Sequence, residues 1–286
     1  MGYSPLITAA LDHDGYSRGA SDYSATDLIA PPQVTRLKRQ HADQIVRKRS
    51  SNIIALLGTA MHAYLEKFEE PGTIKEERLF AEVNGYALSG QIDVQKSSDG
   101  VAVRITDHKV TTCYKVMKDS FPDWEQQLNI YAWLARMNGI EVEALEIHAI
   151  LRDWRDNMTN QDGQPDEPEL TIELPLWSYA EQDLFVRDRL NDLISGEMGE
   201  VRDCTDEERW FRPPVYAVWK SGGKRPSKLF DSPAAAQEYV DHMGKLYSIE
   251  ERPAQYIRCE RFCEAAPFCP QWQRVLQERQ SGGHAD

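Results

Sequence analysis

The chain has 286 residues, 41% of them hydrophobic, and a formal net charge of −13. That length holds one large domain or two modest ones with a real core. The acidic balance excludes a protein that coats nucleic acid through a general positive field, because nonspecific DNA affinity comes mostly from phosphate neutralisation. No apolar run reaches the length of about eighteen residues that a membrane-spanning helix needs. Met1–Ala10 lacks the basic start and apolar core of a signal peptide, so a cytoplasmic location and no membrane partner are expected. DNA contact, if any, has to be local. Two basic groups stand out, Arg36, Lys38, Arg39, Arg47, Lys48 and Arg49 in one and Lys220, Lys224, Arg225 and Lys228 in the other; each reads equally well as a solvated face.

In chain order, the first twenty residues are polar and glycine-containing and read as a surface segment, followed by a helix-start signal at Ser24-Ala25-Thr26-Asp27 and the punctuation of Pro31 and Pro32. A short basic helix is predicted from Gln33 to Arg47. A second runs from Ser51 to Glu69, where Ile54, Leu57, Met61, Leu65 and Phe68 recur at helical spacing. Lys75–Val83, Tyr86–Gln95 and Val101–Val110 read as an antiparallel meander, separated by Asn84-Gly85 and Ser97-Ser98-Asp99-Gly100. A helix over Pro122–Asn138 is stopped by Gly139, and Ala144–Leu151 reads as a strand. Asn157–Pro168 is a polar loop, then Leu170–Leu174 a strand and Ser178–Gly196 a helix. The last ninety residues differ: they hold four of the five cysteines, the aromatic cluster Trp210, Phe211, Tyr216 and Trp219, and a helix over Ser232–Leu246.

Strand alternation puts Val101, Val103, Ile105, Asp107 and Lys109 on one face, so apolar residues lead into two charges. An unpaired neutral polar group already costs roughly 2–7 kcal/mol on the buried side, and a charge more, unless it pairs or binds a metal. An active site justifies that cost; an edge strand whose last residues emerge into water is the plainer alternative. Asp93 follows Gly90 on the preceding strand and pairs toward the region of Asp107, although its own parity is the polar one and it can equally be a solvated residue. Gly90 permits a bulge or close backbone approach, which would switch that parity. Gly58, His62 and Glu66, spaced by four, stack on one helix face, where His62 can reach a neighbouring site and Glu66 can orient it. Gln127 and Tyr131 share a face of the later helix. Singly, each is also an ordinary packed or surface residue.

Their order is less ordinary: G-x-x-x-H on a helix, G-x-x-D on a strand, D-x-K on the next strand, then Q-x-x-x-Y on a helix. Over residues 50–150 the chain resembles the RecB-like branch of the PD-(D/E)XK nuclease superfamily, on Gly58 to His62, Gly90 to Asp93, Asp107-His108-Lys109 and Gln127 to Tyr131. The resemblance implies an α/β restriction-endonuclease-like core, a central mixed sheet flanked by helices, over residues 51–200, with an N-terminal helical segment at 1–50 and a cysteine-bearing extension at 201–286 packed on the core. It implies a DNA exonuclease of recombination, replication or repair in a prokaryote or phage, acting on single strands or free ends, with a recombination or replication protein as partner. His62, Asp93, Asp107 and the carbonyl of His108 would hold Mg²⁺ or Mn²⁺, Lys109 would position or deprotonate the attacking water, and Gln127 and Tyr131 would support the site or hold DNA. Many relatives carry Glu in place of Asp107.

Cys259, Cys263 and Cys269 form C-x3-C-x5-C, a metal or cluster signal; tight C-x-x-C pairs typical of zinc are missing, and iron–sulfur clusters accept uneven spacings. The resemblance to AddB-like and CRISPR adaptation nucleases implies a 4Fe-4S cluster, but those place the fourth cysteine upstream of the core, and no cysteine here precedes Cys113. Cys204 is the expected fourth ligand, within a tail that resembles that of phage-encoded members, and Cys113 a bystander. The aromatic and basic residues of the extension suit single strands, although core packing accounts for some of them. The rival readings are a CRISPR adaptation-type nuclease, a noncatalytic DNA-binding or scaffold protein that retains the fold, and a zinc-bound or free-thiol interaction module.

Overall fold

A computed structural model describes residues 4–12, 19–46, 49–97, 100–156, 164–199 and 201–282, with the backbone alone at 49–52 and 282. It divides into two units, Met1–Thr35 with Val46–Val201 and Arg36–Ile45 with Arg202–Asp286, so the division does not follow chain order.

The first unit contains α1 (Pro5–Asp12), β1 (Tyr23–Ser24), α2 (Ala25–Ile29), the start of α3 (Pro32–Gln40), α4 (Arg49–Leu65), β2 (Thr73–Val83), β3 (Tyr86–Lys96), β4 (Ala102–Thr111), α5 (Cys113–Met117), α6 (Pro122–Met137), β5 (Glu141–Leu151), β6 (Glu169–Leu174) and α7 (Tyr179–Glu197). Six strands make one mixed sheet in the order β1-β3-β4-β5-β6, with β2 also on β3. The meander is antiparallel, as the turn residues require. β5 then runs parallel to β4, which demands a crossover, and α6 supplies it. This is the expected α/β architecture with a central mixed sheet.

The core lies where α6 and α7 cover the sheet: Leu88, Ile92, Ile105, Leu128, Trp133, Leu145, Ile147 and Leu190 are all fully buried. Each contributes about 1.5–3 kcal/mol of apolar transfer. Ser24 starts α2 as its sequence suggests, its hydroxyl accepting from the Asp27 amide at 3.2 Å while Asp27 accepts from the Ser24 amide at 2.9 Å.

Several local expectations change. Pro5–Asp12 is helical, since proline at the first helical position and the leucine and alanine that follow favour it. The basic helix ends at Gln40, and Arg47 and Lys48 lie outside the described residues, as do turn residues Ser98 and Asp99 and most of the 157–168 loop. The apolar stripe of α4 is not core: Ile54, Leu57 and Phe68 are 38%, 49% and 56% exposed. Val101 precedes β4 and is exposed, so the buried face of that strand begins further along.

The second unit holds the end of α3, then β7 (Phe211–Arg212), β8 (Val215–Lys220), β9 (Lys228–Phe230), α8 (Pro233–Met243), β10 (Tyr247–Arg252), β11 (Gln255–Tyr256), a π-helical turn at Arg258–Phe262, a 3-10 turn at Ala266–Phe268 and α9 (Pro270–Gly282). β10-β8-β9 form one antiparallel sheet and β7 pairs with β11. Its core gathers Leu37, Ala265, Ala266, Cys269 and Trp272. Residues 36–45 are tied in by the Lys38–Glu264 ion pair at 2.9 Å and by His41 stacked on Phe268 at 4.2 Å.

Gly90 decides how closely α6 approaches β3. A Cβ there would stand 2.7 Å from Leu134 Cδ1 and 2.8 Å from Tyr131 Cε1, closer than carbon atoms pack. Gly90→Ala is therefore expected to lower stability by about 1–3 kcal/mol, read from the midpoint of urea unfolding.

Candidate active site

The last residues of β4 turn from core to chemistry. Ile105 is fully buried and Asp107 is 2% exposed, and both lie on the alternation that ends at Lys109. Lys109 Nζ lies 2.7 Å from Asp107 Oδ2 and donates to Gln127 Oε1 at 2.9 Å. The other end of the same amide donates to the Tyr131 hydroxyl at 2.8 Å, so Gln127 has its oxygen turned to the ammonium and its nitrogen to the phenol. Residues spaced by four on α6 thus act on one lysine, and Tyr131 lies against the space left by Gly90.

Asp93 is buried, which removes the reading of it as a solvated residue. Val94 pairs with Thr106, so Asp93 falls at the next rung toward Asp107, and its Oδ2 accepts the His108 amide at 2.8 Å. Burial, then the neighbouring Asp107 charge, pushes its carboxyl up to about 7, with His62 opposing. From α4, His62 Nε2 reaches the His108 carbonyl at 3.2 Å, while Nδ1 lies 3.4 Å from Glu76 Oε1 and 3.5 Å from Asp93 Oδ2.

Glu76 has no place in the sequence motifs, being one charge in Lys75-Glu76-Glu77-Arg78. Glu66, expected to orient His62, is exposed just past the end of α4 and closes its last turn through its amide; the carboxylate that meets the ring is Glu76. His62, Glu76 and Asp93 each offer a ligand atom, all within 4.8 Å of one another, a donor set suited to a divalent cation.

A cleft of about 590 Å³ nearby meets this cluster only at His108, and its cations are engaged: Lys75 donates to the carbonyls of Glu66 and Phe68, Lys96 pairs with Glu70 and Arg104 with Glu146.

In the second unit, Cys204 and Cys269 are buried and Cys259 and Cys263 half-buried. Burial, then Glu208 and the other three cysteines, pushes Cys204 up to about 12; burial, then Cys263 and Cys269, pushes Cys259 to about 11, with Arg209 and Arg258 opposing. Four thiols thus lie within electrostatic reach of one another. Gln271 clamps the Cys204 backbone at both its amide (3.0 Å) and its carbonyl (2.8 Å). Cys113 lies in the first unit, where Asp153 accepts from its amide. The aromatic cluster divides: Trp210 is 48% exposed beneath Arg258, Phe211 meets Tyr256, and Trp219, with Tyr216 on the same strand, donates to Glu250. Lys220, Lys224, Arg225 and Lys228 are exposed at the ends of β8 and β9 and in the turn between them.

His62 carries the clearest titration signature. Its hydrogen bond to Glu76 raises it from 6.5 to about 9, burial opposes, and the Asp93, Glu76 and Asp107 charges assist. A raised imidazole stabilises the metal-free fold fully below the unfolded value and loses that contribution as pH rises through about 9. Histidine NMR on metal-free protein is expected to show His62 still protonated at pH 8 and titrating lower in Glu76→Gln; a neutral ring at pH 8 contradicts this.

A search of curated proteins finds no match. Among solved structures the chain is similar to SSO0001, at 20% identity and a TM-score of 0.43 over 65% of this chain and 84% of that one. It is also similar to the alkaline exonuclease from Laribacter hongkongensis, at 10% identity and a TM-score of 0.38 over 62% and 89%. The assignment is carried by the family model of the PD-(D/E)XK nuclease superfamily, which matches residues 57–270 and so takes in every motif from His62 to Cys269. With that match covering well over half of its length, the chain belongs to the PD-(D/E)XK nuclease superfamily.

Proposed function

We propose that the protein is a divalent-metal-dependent DNA exonuclease whose centre is built from His62, Asp93, Asp107, His108 and Lys109. The observation that carries this is the fixed ammonium of Lys109, held between Asp107 and Gln127 beside three side chains able to ligate a cation, His62, Glu76 and Asp93. Asp93, Asp107, the His62 ring and the His108 carbonyl would hold Mg²⁺ or Mn²⁺. When bound, that ion polarises a phosphoryl oxygen and stabilises charge on the leaving oxygen. Lys109 Nζ orients the attacking water and screens charge building on the phosphate, while Gln127 and Tyr131 keep it from collapsing wholly onto Asp107. Attack on free ends, a single-stranded preference and a cytoplasmic role in recombination, replication or repair, with a protein partner of that process, follow from the resemblance to RecB-like and phage-type members. The exposed Lys220–Lys228 group and Trp210 are the local features on which an anionic strand with unpaired bases could rest, given a surface that is acidic overall.

End-labelled single- and double-stranded DNA with Mg²⁺ or Mn²⁺ tests this. Lys109→Ala is expected to lower kcat by roughly 100-fold or more, as loss of a charge-stabilising donor does, and the product ladder gives the polarity. Intact protein that binds DNA without cutting it would instead favour the noncatalytic reading.

We further infer that Cys204, Cys259, Cys263 and Cys269 hold a 4Fe-4S cluster. The support is chemical: four thiols, two buried and two half-buried, gather in the second unit, and burial raises Cys204, Cys259 and Cys263, so that their thiolates are disfavoured unless a cationic centre compensates them. The cluster would be structural, fixing the 258–270 turns within the second unit. Protein purified without oxygen is expected to be brown and to contain iron and inorganic sulfide, lost in Cys204→Ser and kept in Cys113→Ser. Colourless zinc-loaded protein would reject the cluster.

A further inference from the structure

Glu76 sits where the regular ladder fails. Thr73–Lys75 pair with Val94–Lys96 and Glu77–Val83 with Tyr86–Ile92, but the rung between, Glu76 opposite Asp93, is missing. Its backbone is left-handed, with φ of 51°, a conformation a long side chain adopts only when its surroundings enforce it. The enforcing groups lie on alternate residues of β3. Arg78 Nη1 donates to Ser89 Oγ at 3.2 Å and Nη2 to Gln91 Oε1 at 2.7 Å. With its oxygen so engaged, the Gln91 amide nitrogen turns to Glu76 Oε2 at 2.8 Å. The second carboxylate oxygen, Oε1, is thereby aimed at the centre, against His62 Nδ1.

Glu76 and Asp93 share one donor cluster with His62, and the Asp107 charge bears on both Asp93 and His62. Of the cationic side chains beside them, Lys109 is paired with Asp107 and His62 lies between Glu76 and Asp93. We propose that Glu76 is itself a ligand of the divalent cation, presented by the left-handed turn in β2 and oriented by Gln91 and Arg78. This rests on reading the centre as a metal site and adds a ligand outside the motifs that carry the resemblance. It makes the cation the common tie of α4, β2, β3 and β4.

The test is Mn²⁺ titration of the full chain without DNA, by calorimetry, with water-proton relaxation of the bound ion. Glu76→Gln keeps size and can still accept from Gln91; it is expected to weaken Mn²⁺ binding by at least the roughly 10- to 100-fold seen when an outer-shell partner of a metal ligand is lost. It should also add to the water bound on Mn²⁺, which a merely structural role would not do. Glu76→Asp should recover part of the affinity, and Gln91→Leu should weaken binding several-fold. Wild-type Mn²⁺ affinity in Glu76→Gln, with binding lost in Asp93→Asn, would overturn the proposal while leaving the metal centre in place. If Glu76→Gln does not fold, unchanged affinity in both Glu76→Asp and Gln91→Leu overturns it instead. Wild-type protein that binds no Mn²⁺ overturns the metal-centre reading and this ligand with it.

Discussion

The missing side chain at Gly90 is the constraint from which the rest of the centre follows. Helix α6 lies so close to β3 that Tyr131 and Leu134 fill the volume a Cβ would need. The i, i+4 spacing on α6 puts the phenol within reach of Gln127, Gln127 turns its oxygen to Lys109, and Lys109 is thereby shared between Gln127 and Asp107. No link in this series is strong alone, since a single hydrogen bond adds about 0.5–1.5 kcal/mol net. Its value is geometric. A flexible lysine has many rotamers, and a packed helix face with an oriented amide leaves it few.

Electrostatics make the same centre costly without a counter-ion. Asp93 and Asp107 are buried on neighbouring strands, and the protonated form of Asp93 is favoured at the expense of the carboxylate. His62 supplies positive charge from α4, which leans on the sheet without joining its core. Buried, mutually perturbing charges gathered at one strand end are more typical of functional sites than of packing.

Strand and helix periodicity made much of this legible. Alternation brought Asp107 and Lys109 to one side of β4, and the spacing of Gln127 and Tyr131 brought both to one face of α6. The family order of motifs joined pieces that were individually ordinary. Glu76 was not legible, because a glutamate amid charged neighbours has no periodic signature and a left-handed non-glycine residue leaves no mark in sequence. Glu66 looked right by spacing, yet it stands at the exposed end of the helix, where the chain tightens into i→i−3 bonds just beyond it, and the His62 ring meets Glu76 instead. The stripe on α4 did mark a helix, but helical periodicity reports a common face and not what that face packs against.

The composition of the second unit bears on how the chain acquires its structure. Leu37 and His41 find their neighbours, Ala265, Trp272 and Phe268, only after the whole of residues 46–201 has intervened in the chain. These are contacts of very high sequence separation, which form late because loop closure precedes any reward. During synthesis the basic end of α3 therefore waits, apolar face unpaired, while the nuclease sheet can already assemble from pairings between strands close in sequence. Closure of the second unit is then a late event of folding, and a chain stalled before it would be a candidate for chaperone capture rather than a shortened enzyme.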